Sequence, residues 1–188
     1  TGVTNGSIES GIQHGLDDVY LKKFDSSGNQ IWTKQFGTSS YDIGFSLSTD
    51  SNGNIFVGGH TSGDLGANNK GGRDLYVSKF DPGGNQIWTR QYGTTKGDQA
   101  NSLTVDNLGN VYLAGFTNGS GAFGINADHD LLVVKYDTDG NFIWERIIRS
   151  SGDDIANGIS SDSAGNLYLT GYTSASFDDY PSQGKYDF

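Results

Sequence analysis

The chain is built from a repeat of 56 residues that occurs three times in fixed register. Thirteen alignment columns are identical in all three copies. The matching segments are 18–32, 74–88 and 130–144 in one half of the repeat, and 48–61, 104–117 and 160–173 in the other. A chain of this kind builds one supersecondary unit per copy, and each unit buries its apolar face against its neighbours.

Each copy is predicted to form four short β-strands. In the middle copy, 102–106 alternates apolar and polar residues, and 111–117 is a nearly continuous apolar run. Such patterns are typical of a half-buried strand and of a strand buried on both faces. The segments 74–80 and 86–92 supply the third and fourth strands. No long apolar period of 3.6 residues occurs, so we expect almost no helix.

Both turns within a copy have the form Asp-x-x-Gly-Asn, in which Gly takes the positive φ that a tight turn needs. These turns also resemble shortened Ca²⁺ loops, and Asp137, Asp139 and Asn141 form the best of them. Because other turns carry Gly83, Leu108 or Ala164 at the middle position, we expect hairpin chemistry and no cofactor. A Ca²⁺ site at the first three residues is the alternative.

One glycine recurs inside the buried second strand, where the lack of a side chain normally weakens a sheet. Its recurrence predicts a close backbone approach, as where blades taper toward a central axis. Four strands per repeat of this length indicate an all-β propeller with blades of four antiparallel strands. The glycine stands at Gly59, Gly115 and Gly171.

The pattern D-x-[YL]-x-x-K-[FY]-D-x-x-G-N-x-I-W, then G-x-x-x-x-D and D-x-x-G-N-x-[YF]-x-x-G-x-T, resembles the bacterial β-propeller repeat family SBBP over nearly all of the chain. The resemblance implies a propeller in an exported or surface-attached bacterial protein, and implies no single activity. The third copy departs from the pattern at Arg149, where the other copies have Gly37 and Gly93. We therefore expect the exit from its fourth strand to differ.

The 188 residues hold about 3.4 repeats and are predicted to form one propeller arc. The repeat units are approximately 18–73, 74–129 and 130–186, with 1–17 as part of a preceding unit. Closed propellers usually have 4–8 blades. We therefore expect the arc to belong to a longer chain or to be completed by a second copy.

Residues that recur in every copy favour structural roles. We expect the tryptophans to anchor packing between blades and the aspartates to tie loops or neighbouring blades together. They are Trp32, Trp88 and Trp144, and Asp42, Asp98 and Asp154. The polar connections 62–73, 118–129 and 174–186 vary most between copies, and propeller loops usually carry ligand contacts. The candidate ligand-binding aromatics in them are Phe123, Phe177 and Tyr180.

The net charge of −10 and the scattered basic residues exclude the basic stripe that nucleic-acid binding needs. The longest aliphatic run is 131–134, so we expect no membrane insertion. No acid–base pair or nucleophile stands apart from the repeat columns, so we expect no enzyme.

We expect a structural or protein-interaction module outside the cell or on its surface. The alternative is a carbohydrate-binding propeller that could also bind Ca²⁺. The sequence does not identify the protein or glycan partner.

If a second copy completes the arc, light scattering coupled to size-exclusion chromatography should give twice the chain mass of 20.1 kDa. A monodisperse particle of one chain mass would contradict completion by self-association.

Overall fold

The computed structural model describes residues 1–8, 12–119 and 129–176, which contain thirteen strands and no helix. In chain order the strands are β1 (Gly2–Thr4), β2 (Asp18–Phe24), β3 (Gln30–Phe36), β4 (Asp42–Thr49), β5 (Ile55–Thr61), β6 (Asp74–Phe80), β7 (Gln86–Tyr92), β8 (Asp98–Val105), β9 (Val111–Thr117), β10 (Asp130–Tyr136), β11 (Phe142–Ile148), β12 (Asp154–Ser161) and β13 (Leu167–Thr173).

The strands form four antiparallel sheets, which we call blades 1 to 4. Blade 1 has the order β1-β2-β3, blade 2 β4-β5-β6-β7, blade 3 β8-β9-β10-β11, and blade 4 β12-β13. The prediction of an all-β fold with four-stranded antiparallel blades is confirmed. The sheets do not close into a ring within the described residues.

The blades begin at a different phase from the repeat units read from the sequence. Blade 2 runs from 42 to 92 and blade 3 from 98 to 148, whereas the units run from 18, 74 and 130. Each complete blade therefore takes its first two strands from one unit and its last two from the next.

The core lies between neighbouring blades. The second strands β5 and β9 are buried along their whole length, as their apolar runs predict. Between blades 2 and 3, Phe56 and Val77 belong to the same buried cluster as Leu103 and Leu113. Because blades 2 and 3 are each covered on both faces by other blades, the fold gains its apolar burial from stacking one unit on the next.

In blades 3 and 4 the first strand has an edge N–H group bonded to the first strand of the preceding blade. The Leu103 backbone N–H of β8 donates to Ser46 Oγ of β4 at 3.1 Å. In the same way the Ile159 N–H of β12 donates to Ser102 Oγ of β8 at 3.3 Å. These bonds use edge groups that would otherwise lack a protein partner.

The repeated glycine of the second strand faces a β-bulge in the first strand. The register of β8 against β9 shifts between Ala100 and Ser102. A Cβ on Gly115 would collide with the carbonyl oxygen of Gln99, and Gly59 and Gly171 stand in the same situation. The close approach is to the neighbouring strand of the same blade, and the bulge, rather than a taper toward an axis, requires it.

Replacing Gly115 with Ala is expected to lower the free energy of unfolding by about 2–3 kcal/mol, because the new methyl group must displace a strand backbone. Gly72→Ala is the matched control, since its Cβ would meet backbone atoms only at 3.7 Å and beyond. Urea unfolding checks both variants, and an equal effect of the two would contradict the role given to the bulge.

Candidate functional site

The Asp-x-x-Gly-Asn turns share one hydrogen-bonded geometry. In the turn between β10 and β11, Asp137 Oδ1 accepts the backbone N–H groups of Asp139 at 2.9 Å and Asn141 at 2.8 Å. Asp137 Oδ2 accepts the Asn141 side-chain amide at 2.8 Å, and Gly140 has a φ of +80°. The hydrogen bonds from the side chain and backbone of Asn141 hold the pKa of Asp137 below its ordinary value.

This geometry brings together only part of the Ca²⁺ set expected from the sequence. Asp137 and Asn141 are in contact, but Asn141 offers an N–H rather than an oxygen. Asp139 takes part through its backbone, and its carbonyl accepts Arg90 at 3.2 Å. Among the described residues no group of three or more His, Cys, Asp or Glu side chains is placed to hold a metal ion. Calcium binding by this turn stays a prediction.

Two of the three outer-strand tryptophans, Trp32 and Trp88, lie on the turn of the following blade. Trp88 Nε1 donates to the Thr138 carbonyl at 3.4 Å, and its ring lies against Gly140. Trp32 lies against Gly84 in the same way. Beside Trp88, Arg90 Nε donates to the Gly140 carbonyl at 2.7 Å. The structure thus places these rings between blades.

A cleft of about 440 Å³ opens between the outer strands of blades 2 and 3. Its lining includes Tyr92, Tyr136 and Phe142, together with Arg90 and Asn141. The Tyr92 and Phe142 rings are parallel, with centroids 6.0 Å apart. Burial raises the pKa of Tyr92 and Tyr136 above the ordinary value, so both hydroxyls keep their protons at neutral pH. The cleft offers aromatic rings beside cationic and amide groups.

An invariant isoleucine is exposed near the start of each outer strand. Ile31, Ile87 and Ile143 expose 53%, 52% and 48% of their surface. The strands β7 and β11 that carry two of them lie at the edges of their sheets. We call these three residues the isoleucine row. The sequence marks the column as invariant, and its exposure follows from alternation, because the adjacent Trp points to the opposite face.

The repeated aspartates at the start of the first strands are buried and join two blades. The Asp98 N–H donates to the Arg73 carbonyl of blade 2 at 2.7 Å. Asp98 Oδ2 accepts the Thr94 N–H at 2.7 Å and hydroxyl at 2.9 Å, which closes the connection between the blades. Asp42 and Asp154 make equivalent bonds to residues 38 and 150.

A second set of aspartates opens the third strands. Asp74 Oδ2 accepts the Gln91 side-chain amide at 3.0 Å and the Lys70 N–H at 3.0 Å. Gln91 Oε1 in turn accepts the N–H groups of Leu65 and Gly66, and so anchors the connection 62–73. Gln35 has the same role in blade 1. Sequence reasoning missed these glutamines, although their recurrence at one repeat position is visible.

The third unit departs from this arrangement at two positions together. Where the first two units have Gln and Gly, the third has Ile147 and Arg149. Arg149 Nε donates to Asp130 Oδ2 at 3.2 Å, so the arginine now supplies a donor to the third-strand aspartate. The difference expected at this strand exit is therefore an exchange of the group that holds the aspartate.

The three loop aromatics expected to contact ligand, Phe123, Phe177 and Tyr180, lie outside the described residues. No described helix is long and apolar enough to cross a membrane.

A protein-family model described as a beta-propeller repeat (SBBP) matches residues 31–66, 87–121 and 144–178, more than half of the chain. An uncharacterized WD repeat-containing protein, L264, of Acanthamoeba polyphaga mimivirus is 24% identical over 76% of this chain. The regulatory protein FlaEY of Caulobacter vibrioides is 27% identical over 68% of it. The chain spans only 13% and 15% of the lengths of these relatives.

His60 should make the stability of the fold depend on pH between 6.5 and 4. The side chain is buried beside the Phe45 ring, and burial followed by the charge of Arg73 lowers its pKa from 6.5 to about 4. Below pH 6.5 the unfolded chain therefore takes up a proton that the folded chain refuses, and stability falls as pH falls.

His60→Phe, which introduces the residue that the next repeat has at Phe116, is expected to remove about 2–3 kcal/mol of the loss between pH 7 and pH 4.5. Urea unfolding of both proteins at the two pH values checks this. An equal loss in the two would contradict it.

Proposed function

This chain belongs to the SBBP beta-propeller repeat family, and we propose that it works as a non-enzymatic protein-interaction module within a larger exported or surface bacterial protein. The observation that carries the proposal is the isoleucine row. Its three members keep their identity in every unit and remain half exposed. An apolar side chain that is exposed at the same place in successive blades favours contact with another protein surface.

The surroundings of the row suit a protein partner. The row lies on outer strands, and an edge strand offers backbone N–H and C=O groups to an added strand. Propeller blades hold these strands at fixed intervals, so one partner can contact several isoleucines at once. A name containing WD repeat, carried by the mimivirus relative, is consistent with a repeat module of this type.

The experiment places a photo-crosslinking amino acid at position 87 in the native protein, in the bacterium that produces it. The control is position 108, where Leu108 is 82% exposed but lies on a turn between the first two strands of blade 3. We expect protein adducts from position 87 and none from position 108.

Protease added to intact cells should also digest the chain, and protection until lysis would contradict a surface location.

The partner identified in this way should bind the triple variant Ile31→Thr, Ile87→Thr, Ile143→Thr about 100-fold more weakly. That factor corresponds to about 1 kcal/mol for each half-exposed isoleucine buried on binding. Threonine keeps the β-branched shape that strands favour. Isothermal titration checks the affinity, and unchanged affinity would contradict the role of the row.

Carbohydrate binding is the second candidate function, and the cleft between blades 2 and 3 favours it. Its aromatic rings can pack on the face of a sugar, while Arg90 and Asn141 can bind the hydroxyl groups of that sugar. A glycan array distinguishes the two functions. Micromolar glycan binding that Tyr92→Ala abolishes, without protein adducts at position 87, would favour the carbohydrate function over the protein-interaction module.

A further inference from the structure

Two equivalent pockets between blades hold pairs of buried aspartates. Asp18 and Asp42 are fully buried between blades 1 and 2, and Asp74 and Asp98 are buried to 1% and 0% exposure between blades 2 and 3. In the first pocket, Asp18 Oδ1 and Asp42 Oδ2 lie 2.5 and 3.0 Å from the point where a Cβ on Gly37 would stand. In the second, the Asp74 side chain lies against Gly93, and Asp98 Oδ2 accepts the N–H of the adjacent Thr94 at 2.7 Å.

Each of these four aspartates has one buried oxygen with no hydrogen-bond partner among the residues that the structure describes. The unpartnered atoms are Oδ1 of Asp18, Asp42, Asp74 and Asp98. The donors described above, such as Gln91, Lys70 and Thr94, all serve the Oδ2 atoms. Buried carboxyl oxygens normally have a donor or a cation beside them, because leaving them bare is costly. These four oxygens are therefore free to accept a donor or to bind a cation.

The third unit carries a positively charged group beside its aspartate, bonded to the Oδ2 atom that the glutamine serves in the other units. There the glycine position is occupied by Arg149, whose guanidinium reaches Asp130 at 3.2 Å. Arg149 follows Ile147, which replaces the glutamine that serves Asp18 and Asp74 in the other units. The chain thus places an arginine at this aspartate in one unit and glycine in the other two. In the first unit His14 Nδ1 also lies 3.4 Å from Asp18 Oδ2.

We propose that the Asp18–Asp42 pocket and the Asp74–Asp98 pocket each bind one hard divalent cation of the Ca²⁺ type. Two carboxyl groups match its charge, and the unpartnered ligand atoms are all oxygens, which Ca²⁺ prefers. The Tyr76 hydroxyl is also buried, with no partner among the described residues, and lies 3.4 Å from the point where a Cβ on Gly44, two residues after Asp42, would stand. Ca²⁺ accepts such mixed and irregular sets more readily than Mg²⁺, which requires near-octahedral geometry.

The bound cations tie blades together. Asp18 begins β2 of blade 1 and Asp74 begins β6 of blade 2, and the other aspartate of each pocket begins the first strand of the next blade. A cation held by both carboxyl groups joins strands that are otherwise linked there by the backbone bonds of Asp42 and Asp98. Binding is therefore expected to raise stability, and the sites are separate from the exposed turn at Asp137.

Equilibrium dialysis of the full chain against Ca²⁺ at pH 7 should give two ions per chain, with a dissociation constant of about 0.1–1 mM. At 100 times that constant, the melting temperature should rise by about 5 °C or more relative to protein in chelator. Mg²⁺ at the same concentration should raise it less.

Two pairs of substitutions should change the number of Ca²⁺ ions bound per chain in opposite directions. Asp74→Asn with Asp98→Asn should reduce it to one ion. Arg149→Gly with Ile147→Gln rebuilds the third unit on the pattern of the first two and should raise it to three. The control Asp139→Ala, in the exposed turn, should leave the count at two.

The proposal is overturned if Ca²⁺ binding is not saturable in the millimolar range, or if Asp139→Ala alone abolishes it. It is also overturned if the chain binds no Ca²⁺ but gains stability as pH falls from 7 to 5, since the two carboxyl groups would then share a proton. Should the Arg149→Gly, Ile147→Gln protein fail to fold, the asparagine pair still decides, because unchanged stoichiometry there contradicts the site. None of these outcomes depends on the isoleucine row.

Discussion

The arrangement of blades depends on the buried aspartate that begins each first strand. Asp98 binds the carbonyl of Arg73 through its N–H and closes its own connection through Thr94. These bonds fix where the chain leaves the outer strand of one blade and enters the first strand of the next. The serine bonds between first strands, and the tryptophan packing on the following turn, then form between blades that are already in register.

We call the contact that these aspartates make between two blades the joint. Each joint concentrates carboxyl groups where water is excluded. The fold manages these carboxyl groups with neutral donors in two units and with Arg149 in the third. Glycine at positions 37 and 93 has no side chain that would displace the aspartates, and the proposed cation supplies there the positive charge that Arg149 supplies in the third unit. The outer surface, by contrast, exposes apolar isoleucines. Charged groups are thus buried between the blades and apolar groups are exposed on the outer strands, the reverse of the usual distribution in proteins.

Much of the fold could be predicted because its signals are local and repeated. Strands are defined by their own residue patterns, namely the alternation in 102–106 and the apolar run of β9. The glycine of the Asp-x-x-Gly-Asn motif likewise predicts the positive φ that Gly140 has. The bulge opposite Gly115 could not be predicted, because it depends on pairing between strands. The phase of the blades was hidden for the same reason, since a repeat fixes a period and not the strand at which a sheet starts.

The joints described here connect each blade only with its neighbour, and they recur at the same repeat positions. A recombination event that adds or deletes one whole unit therefore leaves every junction chemically complete, provided that the exchange does not fall between Ile147 and Arg149 or between their equivalents. Ile147 and Arg149 are two residues apart, so such an exchange transfers them together. Blade number can thus change in evolution at little cost to folding, while the residues of the joint cannot change singly.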